Sequence, residues 1–287
     1  MHDGTHVLFS ILKVKFMPIL RKARFAGTFY TEKASTIEAF FKHTLRNIEE
    51  HGKVSCKAVI VPHAGYIYSG RVAVKTLGLC NIPKYILLLG PNHTGVGAKA
   101  ALSSADYWET LFGNIPCSKE LGNFLIESCP IISLDDKAHF NEHSLEVELP
   151  ILKYLNPDIH IAALTLSLLS KKELEVLGKS ILSAFKQYKN SLLVVVSSDM
   201  SHYVSVEEAK ILDDIALERI SKLDPSGLYD TVKKKNLTMC GFIPATALLF
   251  ALQKMGNIKA SIVDYTTSAE VTGDPYQVVA YAGVLFR

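Results

Sequence analysis

The 287-residue sequence lacks the features that mark several classes of protein. Its five cysteines are an odd number, form no CxxC pair and are scattered, so we expect reduced thiols in a reducing compartment and no disulfide framework. The formal net charge is only +3, and the longest run of like charge, Lys233 to Lys235, is interpreted as a solvated helix end. Composition therefore indicates neither nucleic acid nor an anionic membrane as a partner.

Long apolar runs are also missing. The stretch 7–16 is interrupted by Lys13 and Lys15, has no clear small-residue cleavage site and is too short to span a bilayer. We therefore expect a soluble, cytoplasmic protein. Residues 1–16 are interpreted as an N-terminal extension, because the sequence from Met17 leads directly into the motif Phe25–Tyr30.

Three apolar segments each stop abruptly at small and polar residues. They are Ala58–Val61, Ile86–Leu89 and Leu192–Val196. Continuous apolar strands are buried on both faces, which predicts a parallel or mixed sheet covered by helices. A further strand is predicted at 159–164, and a late, antiparallel pair at 259–265 and 278–286. Helical periodicity alternates with these strands at 36–47, 69–78, 119–127, 144–154, 171–187, 206–223 and 243–255. The fold class is thus α/β, with one domain over 17–287 built on a central mixed sheet flanked by helices.

Histidines follow all three of these strands, at His63, His93 and His202. A single histidine after a strand is usually structural, but ligands of open α/β sheets bind outside the carboxyl ends of the strands, where loops converge. We therefore expect the three histidines to share one crevice.

Cys240 lies where a helix is predicted to begin, with Pro244 suited to its first turn. A helix N-terminus lowers the pKa of a thiol and favours the thiolate, the form that binds metal or attacks an electrophile; a buried, inert cysteine is the alternative. Two imidazoles and a thiolate, from His63, His93 and Cys240, form a three-ligand set with open positions that could hold iron, copper or zinc.

Asp199 and His202 follow the third strand together. They are predicted to act beside the metal, His202 as a general base and Asp199 as its orienter or a substrate contact. The alternative for Asp199 is a helix cap. Earlier in the chain, Ser144 is a possible N-cap, and His143 with Glu146 could line the pocket or form a buried hydrogen-bonded pair.

Glycine and asparagine cluster beside the histidines. Gly65, Gly90, Gly95 and Asn92 are interpreted as turn-builders. The segment 90–95 is not a phosphate loop, because it lacks the spaced glycines and the lysine of that motif.

The same stretches resemble the MEMO family, whose bacterial and archaeal members are often called AmmeMemoRadiSam system protein B. The matching motifs run in order over most of the chain: Phe25–Tyr30, Pro62–Gly70, Gly90–His93, Glu142–Glu146, Ser197–His202 and Cys240-Gly241. The resemblance implies a fold like that of the class III extradiol dioxygenases, which are non-haem iron enzymes.

Carried over residue by residue, the resemblance places His63, His93 and Cys240 on the family's metal ligands. Asp199 and His202 fall on the catalytic pocket positions beside them. We expect Fe(II), with copper or zinc as alternatives. His143, Asn92 and Tyr66, which lie in these motifs, are assigned to substrate contact. The dioxygenases have a glutamate where this chain has Cys240; a thiolate changes the redox potential and is itself oxidisable, so ring cleavage does not follow.

Three functions are therefore open. The first is an iron- or copper-binding oxidoreductase-like protein acting on a small molecule. The second is a non-catalytic module that binds a peptide or metabolite. The family's animal members have been linked to phosphotyrosine peptides, but this sequence has no arginine cluster typical of phosphate recognition. The third is a hydrolase that uses zinc-bound water or the Cys240 thiolate as nucleophile and His202 as base. The late strands offer sheet edges, which leaves a homo-oligomer open.

Overall fold

The computed structural model describes residues 17–46, 48 and 52–287. The predicted N-terminal extension, residues 1–16, lies outside the described residues. In the described ranges the strands are β1 Leu20–Arg21, β2 Ala58–Val61, β3 Tyr85–Pro91, β4 Ala100–Leu102, β5 Tyr107–Trp108, β6 Ile115–Pro116, β7 Ser133–Leu134, β8 His160–Leu166, β9 Leu192–Ser197, β10 His202–Val204, β11 Ala260–Thr267 and β12 Val278–Phe286.

The helices lie between these strands. They are α1 Ala34–Leu45, α2 Tyr66–Gly78, α3 Lys119–Ser128, α4 Lys137–Phe140, α5 Leu149–Leu155, α6 Lys171–Tyr188, α7 Val206–Ser221, α8 Pro225–Lys235, α9 Phe242–Met255 and α10 Ala269–Thr272. Short 3-10 turns occupy Glu146–Glu148 and Lys189–Ser191. Among the helices in this part of the chain, none has both the length and the apolar character needed to cross a membrane.

One mixed sheet organises the fold, with strand order β10-β12-β2-β9-β3-β8-β4-β7 and β11 paired to β12. The four strands β2, β9, β3 and β8 are parallel to one another. The late pair β11–β12 is antiparallel, as predicted, and β12 closes antiparallel onto β2. A small second sheet joins β1, β5 and β6. The predicted fold class is therefore confirmed.

The central strands are buried on both faces because their side chains alternate between two apolar cores. Ile60, Leu87 and Val194 pack on the side of α6 and α9. Val59, Leu88 and Val195 pack on the side of α1, α2 and α5. Two buried faces explain why these segments are apolar without interruption rather than alternating.

Helix α8 was not predicted from the sequence. It begins at Pro225, and the Asp224 side chain caps it by accepting a hydrogen bond from the Gly227 N–H at 2.8 Å. The helical pattern of apolar residues in α8 is interrupted in its first turn by Ser226 and Gly227, because both residues are typical of turns. The lysine run Lys233 to Lys235 forms its exposed last turn, which confirms the predicted helix end.

The expectation of five free thiols is wrong. Cys56 and Cys80 form a disulfide, which joins the segment before β2 to the residue after α2. The Val54 N–H also donates a hydrogen bond to the Leu79 carbonyl at 2.8 Å, so the backbone brings the two cysteines together. The cysteine pattern therefore no longer supports the predicted reducing compartment. Cys117, Cys129 and Cys240 are free thiols.

Candidate metal centre

The carboxyl ends of β2, β9 and β3 meet at one edge of the sheet, because β9 lies between the other two and all three are parallel. His63 lies two residues beyond β2, and His93 two residues beyond β3. Asp199 lies two residues beyond β9. The topology therefore brings these three residues to the same edge of the sheet.

Three histidine rings form a cluster at this edge. The ring centroids of His63 and His93 are 5.1 Å apart, those of His93 and His143 4.8 Å, and those of His63 and His143 5.3 Å. One nitrogen from each ring lies within 4.8 Å of the others. Nitrogens bound to one ion at about 2.1 Å lie roughly 3 to 3.5 Å apart, so small ring movements would suffice for all three to bind it. His143, assigned to substrate contact from the sequence, is thus part of the cluster itself.

Cys240 lies against the same cluster. Its Sγ atom is 3.3 Å from His63 Nε2, a separation that two atoms bound to the same ion can have. The sulfur also accepts a hydrogen bond from the Asp199 backbone N–H at 3.2 Å. A thiol and three imidazoles are soft and borderline donors, which suits iron, copper or zinc better than calcium or magnesium.

Hydrogen bonds at Nδ1 of two rings determine which ring nitrogen carries the hydrogen. His63 Nδ1 is 2.7 Å from Ser197 Oγ, and His93 Nδ1 is 2.9 Å from Glu142 Oε1. A carboxylate only accepts hydrogen bonds, so His93 Nδ1 carries the hydrogen. The Ser197 hydroxyl has the Ser144 carbonyl oxygen, at 2.7 Å, as an acceptor for its single hydrogen, so it accepts from His63 Nδ1. Both Nε2 atoms therefore keep a lone pair that could bind a metal; in the metal-free protein that of His63 faces the Cys240 sulfur at 3.3 Å.

Glu142 is a site residue that sequence reasoning missed. Its two oxygens accept hydrogen bonds from His93, from the backbone N–H at 2.6 Å and from Nδ1 at 2.9 Å, and the Ser144 N–H donates a third. Burial raises the pKa of Glu142, but these hydrogen bonds outweigh it and lower the pKa to about 2. Glu142 is thus an anion that orients His93. Its position beside His143 in the family motif was the available signal.

His143 is held between aromatic rings. Its ring stacks on the rings of both His93 and Phe29. The ring centroids of Phe29 and His143 are 4.3 Å apart. Burial and the nearby His63 lower the pKa of His143 to about 4, and burial and His93 lower that of His63 to about 3. Both imidazoles are therefore neutral near pH 7, the form that binds metal.

The alternatives for Glu146 and Ser144 are also settled by their contacts. Glu146 does not pair with His143; it forms an ion pair with Arg21 and accepts hydrogen bonds from the Phe25 N–H and the Tyr30 hydroxyl, both at 2.8 Å. It thereby fixes the segment that carries Phe29. Ser144 is not a helix cap, because α5 begins only at Leu149 and the Ser144 hydroxyl donates to Pro91 O.

Asp199 is buried behind the cluster. Its Oδ1 accepts a hydrogen bond from the His63 backbone N–H at 2.8 Å, and burial raises its pKa. It caps no helix, since Ser205 caps α7 by accepting from the Glu208 N–H. The carboxyl of Asp199 therefore fixes the turn after β2, while its backbone contacts Cys240.

His202 is half-buried at the start of β10. Its Nδ1 donates to Met200 O at 2.8 Å, which leaves Nε2 as a free acceptor, the form that a general base requires. The following residue, Tyr203, has φ of 60° and an exposed ring. A bulky residue in the left-handed region is strained, and such strain concentrates at functional sites.

The expected lowering of the Cys240 pKa is wrong. Helix α9 begins at Phe242, and Cys240 lies half-buried one residue before the N-cap Gly241. Burial, reinforced by the nearby Asp199 carboxyl, raises the pKa of the Cys240 thiol. Desolvation of the charged form outweighs the helix dipole here.

Asn92 and Tyr66, both assigned to substrate contact, have structural hydrogen bonds. Asn92 Oδ1 accepts from Thr94 Oγ1 and the Gly95 N–H, and its amide donates to Val96 O, so it builds the turn after β3. The Tyr66 hydroxyl donates to Val147 O at 2.7 Å.

Gly90 is not a turn residue, contrary to expectation. It lies inside β3, where a Cβ would be 2.6 Å from Leu145 Cδ2 and 2.8 Å from Ser144 Oγ. Gly95, with φ of 66°, does form a turn. The missing side chain at Gly90 lets the loop that carries Glu142 and His143 approach the strand.

A groove of about 810 Å³ is related to the cluster through Phe29 and is lined by none of the three histidines. Its walls include Phe29, which stacks on His143, as well as Phe40 and the start of α2 at Gly65–Tyr68. The groove is mainly apolar, as ligand pockets usually are.

Comparison with known proteins identifies the family. Residues 21–285 match the family model described as Memo-like protein. A MEMO1 family protein of Aquifex aeolicus is 37% identical over 268 residues, covering 93% of this chain and 99% of its own length. One from Methanopyrus kandleri is 33% identical over 279 residues, covering 93% of this chain and 99% of its own. A crystal structure of an uncharacterized protein from Escherichia coli K12 has a TM-score of 0.56 at 16% identity, covering 78% of this chain and 98% of its own, which shows a shared fold. The chain belongs to the Memo-like protein family.

Proposed function

We propose that the chain is an oxidoreductase-like protein that binds one iron or copper ion through His63, His93 and Cys240. The observation that carries the proposal is the convergence of ligand atoms from distant parts of the chain: three imidazole nitrogens within 4.8 Å of one another and the Cys240 sulfur 3.3 Å from His63 Nε2. Iron fits the borderline character of these donors, and copper or zinc are the alternatives.

The hydrogen bonds at Nδ1 of His93 and His63 support a metal site rather than a structural cluster. Nδ1 of His93 contacts a carboxylate and Nδ1 of His63 a hydroxyl, and the two rings have nitrogens within 4.8 Å of each other. Metal-binding histidines usually make such a second hydrogen bond, which fixes the tautomer and the ring orientation.

The third ligand is a choice between two residues: His143, which has a nitrogen within 4.8 Å of nitrogens of both His63 and His93, and Cys240, whose sulfur is 3.3 Å from His63 Nε2. We assign the position to Cys240, since its sulfur is already at a coordination separation from His63 Nε2. His143, stacked between His93 and Phe29, would then border the substrate. The mainly apolar groove beside Phe29 suits a small organic molecule or a peptide side chain.

A redox-active ion held here would supply electron transfer to or from a bound small molecule. His202, with Nε2 free, would accept or return a proton of that molecule, and Asp199 would hold the His63 turn in place. The rival hydrolase with a cysteine nucleophile is disfavoured, because burial raises the pKa of Cys240 and so depletes the thiolate in the absence of a cation.

Metal analysis tests the proposal. Protein purified without oxygen and loaded with Fe(II), Cu(I) or Zn²⁺ is expected to retain about one ion per chain, and His63→Ala or His93→Ala to lose it. His43→Gln, which removes an exposed imidazole from α1, is the control. Absence of stoichiometric binding by the wild type, or full binding by both alanine variants, would disprove the proposal.

The ligand assignment has its own test. With Co²⁺ as a spectroscopic probe, a thiolate ligand gives a sulfur-to-metal charge-transfer band, which Cys240→Ser should abolish and His143→Gln should leave intact. Absence of the band from the Co²⁺-loaded wild type, together with loss of Co²⁺ binding in His143→Gln, would assign the third position to His143.

A further inference from the structure

Glu148 is a buried carboxyl group that the proposed function does not use. It lies at the end of the 3-10 turn before α5 and is fully buried. Its Oε1 is 3.0 Å from Ser197 Oγ, and its Oε2 has no hydrogen-bond partner among the described residues. An unpaired buried carboxylate is costly, so a group of this kind needs an explanation.

Ser197 connects Glu148 to the candidate metal centre. Its hydroxyl oxygen is 2.7 Å from His63 Nδ1, 2.7 Å from the Ser144 carbonyl and 3.0 Å from Glu148 Oε1. These three neighbours fill all the hydrogen-bonding positions of a hydroxyl, which donates once and accepts twice.

The number of available hydrogens determines which group donates in each hydrogen bond around Ser197 Oγ. The Ser144 carbonyl can only accept, so it takes the single hydrogen of Ser197 at the shorter distance. Glu148 and His63 must then both donate to Ser197 Oγ, which requires a protonated carboxyl at Glu148 and a hydrogen on His63 Nδ1. An ionised Glu148 would compete with Ser144 for one hydrogen and leave two carboxylate oxygens poorly satisfied.

The environment of Glu148 agrees with this hydrogen count. Burial raises the pKa of Glu148 well above its ordinary value, and the Ser197 contact only partly opposes the effect. A neutral carboxyl also tolerates the bare Oε2 far better than a carboxylate does.

We propose that Glu148, acting through Ser197, is the positioning residue of His63, and that it fixes the imidazole in the Nδ1–H tautomer with the Nε2 lone pair facing the metal. The inference rests on the proposed function, in which His63 Nε2 is a ligand. Because Glu148 and Ser144 occupy the other positions of the Ser197 hydroxyl, the only role left for that hydroxyl toward His63 is to accept.

The tautomer of His63 can be measured without any metal. Long-range proton–nitrogen spectra of protein labelled with ¹⁵N-histidine, assigned with His63→Gln, should show His63 protonated at Nδ1 in the wild type. Ser197→Ala should produce a mixture of tautomers, since Nδ1 loses its partner. A His63 ring protonated at Nε2 in the wild type would overturn the inference.

Zn²⁺ affinity tests the consequence for the site. Ser197→Ala and Glu148→Leu are each expected to weaken Zn²⁺ binding about 10- to 100-fold, the usual effect of removing a hydrogen-bond partner that orients a metal ligand. Glu148→Gln should stay close to the wild type, because the amide N–H donates to Ser197 as the protonated acid does. Equal losses in Glu148→Gln and Glu148→Leu, or unchanged affinity in Ser197→Ala, would overturn the inference.

Controls separate this inference from the proposed function. Ser180→Ala removes an equally buried serine hydroxyl from α6, where it contacts Ser128, and should not change Zn²⁺ affinity. If the wild type binds no metal ion at all, the proposed function fails, whereas the His63 tautomer still decides whether Glu148 and Ser197 act as inferred.

Discussion

The interior of the central strands and the edge where they end differ sharply, although the two regions are adjacent. Within β2, β3 and β9 nearly every side chain is aliphatic and buried between two apolar cores. Just beyond the strand ends, ionisable side chains are buried close to one another, among them His63, Asp199 and Glu148.

The difference indicates what each region is for. Aliphatic packing stabilises the folded state, whereas burial of ionisable groups opposes it unless partners compensate. The shifted pKa values of His63 and Glu148 reflect that cost, that of Glu142 reflects the hydrogen bonds that compensate it, and clusters of such shifts are typical of functional sites. We therefore expect changes in the strand interior to alter stability, and changes at the edge to alter ligand and proton binding.

The largest effect is expected in the strand interior. Leu88→Ala removes a fully buried side chain from the middle of β3 and should lower the free energy of unfolding by about 2–5 kcal/mol. Leu88→Met, which nearly preserves volume, should cost less than about 1.5 kcal/mol. Urea unfolding measures both. Loss of metal binding in the folded fraction of Leu88→Ala would show that the two regions are not separable.

An intermediate effect is expected at the edge and depends on pH. The folded-state pKa of His143 is lowered to about 4, below the value of about 6.5 for an unfolded histidine. The unfolded chain therefore takes up the proton first, so the stabilising contribution is present above pH 6.5 and is lost as pH falls toward 4. His63, with a pKa of about 3, acts in the same direction.

Denaturation of the metal-free protein at several pH values between 7 and 4 tests this pH dependence of the free energy of unfolding. His143→Gln should flatten the pH dependence by up to about 1.4 kcal/mol per pH unit relative to the wild type. His43→Gln, which removes an exposed imidazole, should leave the slope of the wild type unchanged. Parallel curves for the wild type and His143→Gln would contradict the assignment of a buried, neutral imidazole.

The strands of the fold were predictable from the sequence because their signal is local. Uninterrupted aliphatic runs such as Leu192–Val196 require two buried faces, and the polar residues that end them mark the edge of the sheet. Parallel pairing then brings His63 and His93 together without any knowledge of side-chain contacts. Helix α8 was missed for an equally local reason, namely Gly227 in its first turn.

The polar partners of the site were not predictable, because they depend on contacts between segments far apart in the chain. Glu142, Ser197 and Phe29 all lie in motifs that the sequence singled out, yet no spacing rule shows that they touch His93, His63 and His143. The Cys56–Cys80 disulfide was missed because an odd cysteine count without a motif gives no pairing.

The smallest effect is expected at Tyr66, which lies between the two regions at the start of α2. Its ring packs against Tyr30 and Phe41, and its hydroxyl donates to Val147 O at 2.7 Å. Tyr66→Phe should therefore cost about 1 kcal/mol of unfolding free energy by leaving that carbonyl unpaired, as measured in urea. Metal affinity should not change, because the hydroxyl is directed at the backbone rather than at the histidines. If Tyr66→Phe were as stable as the wild type but bound ligand more weakly, the Tyr66 hydroxyl would lie in the substrate site, as the sequence predicted. The first turn of α2 would then belong to the site rather than to the scaffold.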